Sequence, residues 1–148
     1  MALNHTAVQL ALRNRMLSLG ALLPAGRAYE NEAFTPRPGQ SYLEEDFVPA
    51  TSRMIGGPAA GGRMEHAGLY VLRWYALAES GIDDRPAIDA LLALFTPGTT
   101  VPAGTETVRI PTDFAPNAGG FIPTADPGFA ACKITIPWRV FSTNTVAA

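Results

Sequence analysis

The sequence predicts an α+β fold: a mainly antiparallel, mixed β-sheet packed with two α-helices, with a long flexible loop between the second and third strands. Apolar residues recur at helical spacing in two places, near the start of the chain and after Asp83-Asp84. Elsewhere, runs rich in β-branched and aromatic residues alternate with Gly- and Pro-rich breaks, which is the pattern of strands and turns. The resulting order is helix, strands, helix, strands. With 148 residues the chain fits one domain, 1–148.

Asn4 is placed to cap the first helix and Gly20 to stop it, so the helix is expected over His5 to Leu19. At about 100° per residue, Val8, Leu12, Met16 and Leu19 share one face, flanked by Ala7 and Ala11. Leu3, Leu10 and Leu17 fall seven apart on nearly the opposite face. A surface helix needs one apolar stripe; the second is covered either by another subunit or by a local loop. Arg15 falls within the first stripe and has to snorkel. Arg27 to Asn31 reads as a short strand. Thr35-Pro36-Arg37-Pro38-Gly39 is a corner, since two fixed φ angles and a glycine continue neither element. Ser41 to Val48 reads as the next strand, with Tyr42, Glu44, Asp46 and Val48 on one face and Leu43, Glu45 and Phe47 on the other.

Pro49 to Glu65 reads as a long loop with Gly-rich hinges, carrying Arg53, Met54, Ile55, Arg63 and Met64. It suits an arm that orders against a partner, or a loop with no such role. "LYVLRWYAL", Leu69 to Leu77, is the strongest strand, apolar on both faces. Asp83 or Asp84 caps a second helix with Pro86 in its first turn. Ile88, Leu91, Leu92 and Phe95 form its buried stripe, and Thr96-Pro97-Gly98 ends it. Thr105 to Ile110 is a short strand and Asn117 to Gly120 a turn. Phe129 to Phe141 is the last long strand, with Cys132, Ile134, Ile136, Trp138 and Val140 on one face. Pro137 removes a ladder donor there and marks an edge or bulge.

Hydrophobic residues make up 47% of the chain and charged residues 16%, against about 25% in typical domains, so some apolar surface is expected to be covered by other subunits. The formal charge of −2 argues against a general nucleic-acid binder. No run approaches the roughly 18 apolar residues that span a bilayer, and Gly20 and Pro24 break the signal-like "MLSLGALLPA". The single Cys132 forms no internal disulfide and suits a reducing compartment.

The search for chemistry yields little. His5, His66 and Cys132 fall short of a zinc ligand set, with no C-x-x-C or H-E-x-x-H. A Cys132–His66 pair is arithmetically possible, but Cys132 sits on an apolar strand face as a small hydrophobe. "GGPAAGG", Gly56 to Gly62, lacks the Lys-Ser/Thr of a phosphate loop. Glu44 and Asp46 share a strand face and could converge with Glu30 or Glu32; the plainer reading is a solvated face. The reading is of a non-enzyme without cofactor or metal.

Several segments, in order, carry a resemblance: the amphipathic first helix, "RAYENEAFTPRPGQSYLEEDF" (Arg27 to Phe47), the loop, "GLYVLRWYAL" (Gly68 to Leu77), "RPAIDALLALFTPGT" (Arg85 to Thr99) and "ITIPWRV" (Ile134 to Val140). Together the chain resembles the tail terminator proteins of long-tailed bacteriophages. The resemblance implies a structural virion protein, assembled in the host cytoplasm. It implies a homohexameric ring on the head-proximal end of the tail tube, which stops polymerisation and docks the neck or head. Its partners would be the tail tube protein and a neck or head-completion protein, with DNA passing through the channel without specific binding. No catalytic residue carries over. A ring needs two different sticky surfaces on each subunit; Leu3, Leu10 and Leu17 are one candidate, and the arm with Arg53, Met54, Ile55, Arg63 and Met64 another. Glu44 and Asp46 are candidates to line the channel, where they would repel DNA phosphates.

Overall fold

A computed structural model describes residues 3–30, 32–55, 63–78 and 83–143. Helix α1 spans His5–Leu17, and the Asn4 side chain accepts the Ala7 N–H at 3.1 Å as a cap. Val8, Leu12 and Met16 are buried and Leu19 packs beside them, so the first apolar stripe faces the core. Arg15 snorkels to a definite partner. Its Nε donates to the Leu94 carbonyl at 2.6 Å, at the end of α2 (Arg85–Leu94). A cation there satisfies a carbonyl with no partner inside the helix and suits the negative end of the helix dipole. In α2, Ile88 and Leu91 are buried, as is Phe95 at its C-cap. Asp83 accepts the Arg85 N–H at 3.0 Å at the helix start.

The strands are β1 (Gly26–Ala28), β2 (Tyr42–Met54), β3 (Arg63–Leu77), β4 (Thr100–Ala103), β5 (Glu106–Arg109), β6 (Asn117–Ala118), β7 (Ile122–Pro123) and β8 (Phe129–Thr143). Among the described residues they form one eight-stranded sheet in the order β1-β2-β3-β8-β5-β4, with β6 and β7 also paired to β8. Among the described strands only β1 and β2 run parallel. The long strands β2, β3 and β8 are its spine. Since β3 pairs with β8 along its whole length, β5, β6 and β7 share the other side of β8. That side has no partner at residues 136–138, between β6 and β5, which is where Pro137 sits.

Two expectations need correction. The loop expected over Pro49 to Glu65 is mostly strand: β2 runs on to Met54, β3 starts at Arg63, and Met54 stands opposite Met64. A shift of register between Pro49 and Ser52 absorbs the proline and resumes the ladder, as a bulge does. The Ile55 N–H donates to the Arg63 carbonyl at 2.8 Å beyond it. Gly56 to Gly62 lie outside the described residues. The second correction adds strands: Thr100–Ala103 pairs with β5 as a hairpin whose turn holds Gly104 at φ 63°, and the turn expected at Asn117 contains β6.

Residues of β2, β3 and β8 alternate between two faces. The inner face carries Leu43, Phe47, Tyr70, Leu72, Trp74, Ile134, Ile136 and Trp138, and joins the helices in one apolar core. Gly68 belongs to this face because Trp138 crosses it, stacked on Phe47 with ring centroids 5.3 Å apart. A Cβ on Gly68 would stand 2.6 Å from the Val48 carbonyl oxygen and closer still to the indole. The outer face is half-exposed except at the buried Val71 and Pro137, and runs in cross-strand rows: Tyr42–Tyr75–Ala131, Glu44–Arg73–Lys133, Asp46–Val71–Thr135 and Val48–Leu69–Pro137.

Candidate functional site

The alternation of β2 sends three consecutive carboxylates into two environments. Glu45 enters the core, its side chain 1% exposed. Arg13 of α1 meets it with Nε at 2.8 Å and Nη2 at 2.5 Å, Gln9 donates at 2.8 Å, and the buried Tyr70 hydroxyl donates at 2.6 Å. Burial alone would raise the Glu45 pKa; the hydrogen bonds from Arg13, Tyr70 and Gln9 reverse that and hold it below the ordinary carboxylate value. The same bond to Glu45 raises Arg13, and burial beside the carboxylate pushes Tyr70 well above the ordinary phenol value. Arg13 also lies over the Tyr29 ring, 4.3 Å from its centroid. Glu30 completes the knot by accepting from Gln9 at 2.9 Å and from the Phe47 backbone N–H at 3.2 Å. The knot thus ties α1 and the segment after β1 to β2 and β3. Every member of the knot has a partner, so it positions structure.

Glu44 and Asp46 face outward, about 40% exposed. Arg73 lies between them, 3.1 Å from Glu44 and 3.9 Å from Asp46. Together with Glu30, Glu32, Phe34 and Pro36 they line an open groove of about 430 Å³ along the border of the sheet. Phe34 rests on Tyr42, and Tyr42 stacks on Tyr75 at 4.3 Å, so aromatic contacts hold the Pro-rich segment against the outer face. Among the described residues no group of three His, Cys, Asp or Glu side chains has a metal-holding arrangement.

The other titratable groups do not converge. His66 is buried between Ser52, 2.6 Å from Nδ1, and Ser142, 2.8 Å from Nε2. A neutral imidazole donates at one nitrogen and accepts at the other, so two hydroxyls satisfy it. Burial, with His5 nearby, lowers its pKa, and Glu106 offsets a smaller part. Cys132 is buried and bonds the Gly119 carbonyl at 3.1 Å; burial raises its thiol. His66 stands opposite Val140, eight residues along β8 from Cys132, or about 26 Å. They form no pair.

The residues expected to meet partners separate. Leu3 is in the core at 8% exposure and Leu17 packs against it, while Leu10 is 44% exposed. The second stripe is therefore largely absorbed by the chain itself, because α1 is covered on more than one side by its own sheet and connections. On the β2–β3 hairpin Met54 and Ile55 are exposed, Arg53 pairs with Glu65 at 2.9 Å, and Met64 is half-buried. The exposed Arg63 lies 4.8 Å from the centre of the Phe141 ring. Sequence reading missed a second groove, of about 220 Å³, lined by Arg109, Arg139, Phe141, Pro111 and Thr112 at the opposite border. Its signal was the alternation of Thr107, Arg109 and Arg139 with buried Val108 and Val140, but the pairing of β5 with β8 was not legible.

The family model for phage tail terminator proteins matches residues 7–138. The chain belongs to the phage tail terminator family. The match takes in α2, all but the first two residues of α1, and all of the sheet except the end of β8. This terminator-family chain is thus a structural protein of the bacteriophage tail and a component of the virion. One solved structure known only by a sequence identifier superposes with a TM-score of 0.62 at 20% identity, covering 99% of this chain and 100% of the other. A second, from the virion of a native gene transfer agent particle, gives 0.53 at 12% identity, covering 93% and 96%. At these identities the likeness is one of fold. No curated protein matches the chain.

Proposed function

We propose that this terminator-family chain acts as a single domain that assembles into a homohexameric ring on the head-proximal end of the tail tube. The ring stops tube polymerisation and offers its other side to a neck or head-completion protein. DNA passes through its opening without specific binding. The observation that carries this reading is the family match across residues 7–138. The geometry supports it from a second direction: the described titratable side chains are either locked in the knot, satisfied singly, or open to solvent on a broad surface. The exposed Leu10, Met54 and Ile55 remain contact candidates. Arg73 offsets one of the two negative charges of Glu44 and Asp46, and the one that remains suits a contact with a cationic protein surface as well as a channel wall.

Deleting the gene and measuring tail length by electron microscopy tests the assignment. A missing terminator gives overlong tubes, rescued by the wild-type chain supplied in trans. Tails of normal length left unattached to heads would overturn it in favour of a neck protein.

A further inference from the structure

Among the described residues no helix lies over the outer face of the sheet, and two grooves near its opposite borders differ in charge. At the β1–β2 border the groove holds Glu32, Glu44 and Asp46, with Arg73 as its cation and Glu30 tied to Gln9 and the Phe47 amide. At the β5–β8 border the second groove holds Arg109 and Arg139, with Arg63 nearby on Phe141. Among the described residues only Asp113, 3.0 Å from Arg139, is paired with that cluster; the Arg53–Glu65 pair beside it is neutral in itself. Lys133 stands between the borders, beyond Arg73 in the same row. The strand register places the Glu44 row and the Arg139 row six residues apart along β8, roughly 20 Å, and two to three strands apart across the sheet, roughly 10–14 Å.

We propose that the occupant of each groove is a second copy of this chain: the acidic border of one subunit docks against the arginine border of the next. The inference rests on the ring reading above and deepens it, since a ring built head to tail needs two different, complementary surfaces on each subunit. The arginines supply fork-shaped donors suited to carboxylates. Pro111 and Phe141 line the arginine groove, and Phe34 and Pro36 the acidic one, so each charged cluster has apolar flanks that exclude water on contact. Opposite potentials also favour this register over acid-to-acid or arginine-to-arginine contact.

The test uses two variants of the full chain, one carrying Glu44→Lys with Asp46→Lys and the other Arg109→Glu with Arg139→Glu, with native mass spectrometry as the readout. Each variant alone is expected to lose the ring, because like charges then face each other. Mixing the two, or combining all four changes in one chain, is expected to restore it, which also shows that each variant folds. Rings that persist in either variant, or that fail to return in the mixture, overturn this inference and leave the ring itself standing. A wild-type chain that forms no ring overturns the ring reading first, and this one with it.

Discussion

Glu45 and its neighbours Glu44 and Asp46 are adjacent in the chain and opposite in everything else. Glu45 points inward, where three side chains from α1 and β3 converge on it with four hydrogen bonds. Glu44 and Asp46 point outward and share one arginine near solvent. The same residue types therefore serve two ends. The inner carboxylate uses its charge to hold α1 to the sheet, and the outer pair keep theirs near solvent beside one arginine. What separates them is the two-residue period of a strand, not their chemistry.

Substitutions on the two sides should differ in proportion. Arg13→Met leaves Glu45 buried without its cation and is expected to cost about 3 kcal/mol, seen as a lower midpoint in urea unfolding. Adding Glu45→Met should recover more than half of that loss, because the remaining site is apolar. If Arg13→Met unfolds like wild type, the knot does not hold the helix. Next in size is Gly68→Ala, which forces the Trp138 ring and the Val48 carbonyl apart and is expected to cost about 2 kcal/mol by the same assay.

The pH dependence should expose the inner face as well. The folded chain holds Glu45 below its ordinary pKa, so its contribution is present above the unfolded carboxylate value and is lost as pH falls through the folded one. His66 is also lowered, so its neutral form belongs to the fold. Stability should begin to fall as pH drops below the ordinary imidazole value of about 6.5 and level off below the folded one. His66→Gln should flatten the upper part of that decline; an unchanged profile would mean that another group is responsible. The smallest effect is expected on the outer face, where Glu44→Gln should change the stability of the isolated chain by less than about 0.5 kcal/mol in urea.

How much of this was legible in the sequence follows the same division. Both helices, their buried stripes and the inner face of the last strand could be read from spacing, because burial imposes a period on one element at a time. The extension of β2 through Pro49 could not, because a strand tolerates proline only at an edge, an unpaired side or a bulge, and each of these depends on the neighbouring strands. Arg15 reads as an intruder in an apolar stripe until the end of α2, far along the chain, is brought to it. Glu45 reads as an acid on the apolar face of its strand, with no partner in view until Arg13 and Tyr70 arrive from 32 and 25 positions away. The arginine groove likewise depends on β5 closing against β8. Local pattern states which way a side chain points, and long-range pairing states what it meets.

If the outer face serves sister copies while the inner face completes the fold alone, the purified chain assembles without other proteins. Native mass spectrometry of the purified wild-type chain addresses this most directly. A particle of six times the 15.7 kDa chain is the predicted result. A lone 15.7 kDa particle at every concentration tested would contradict it.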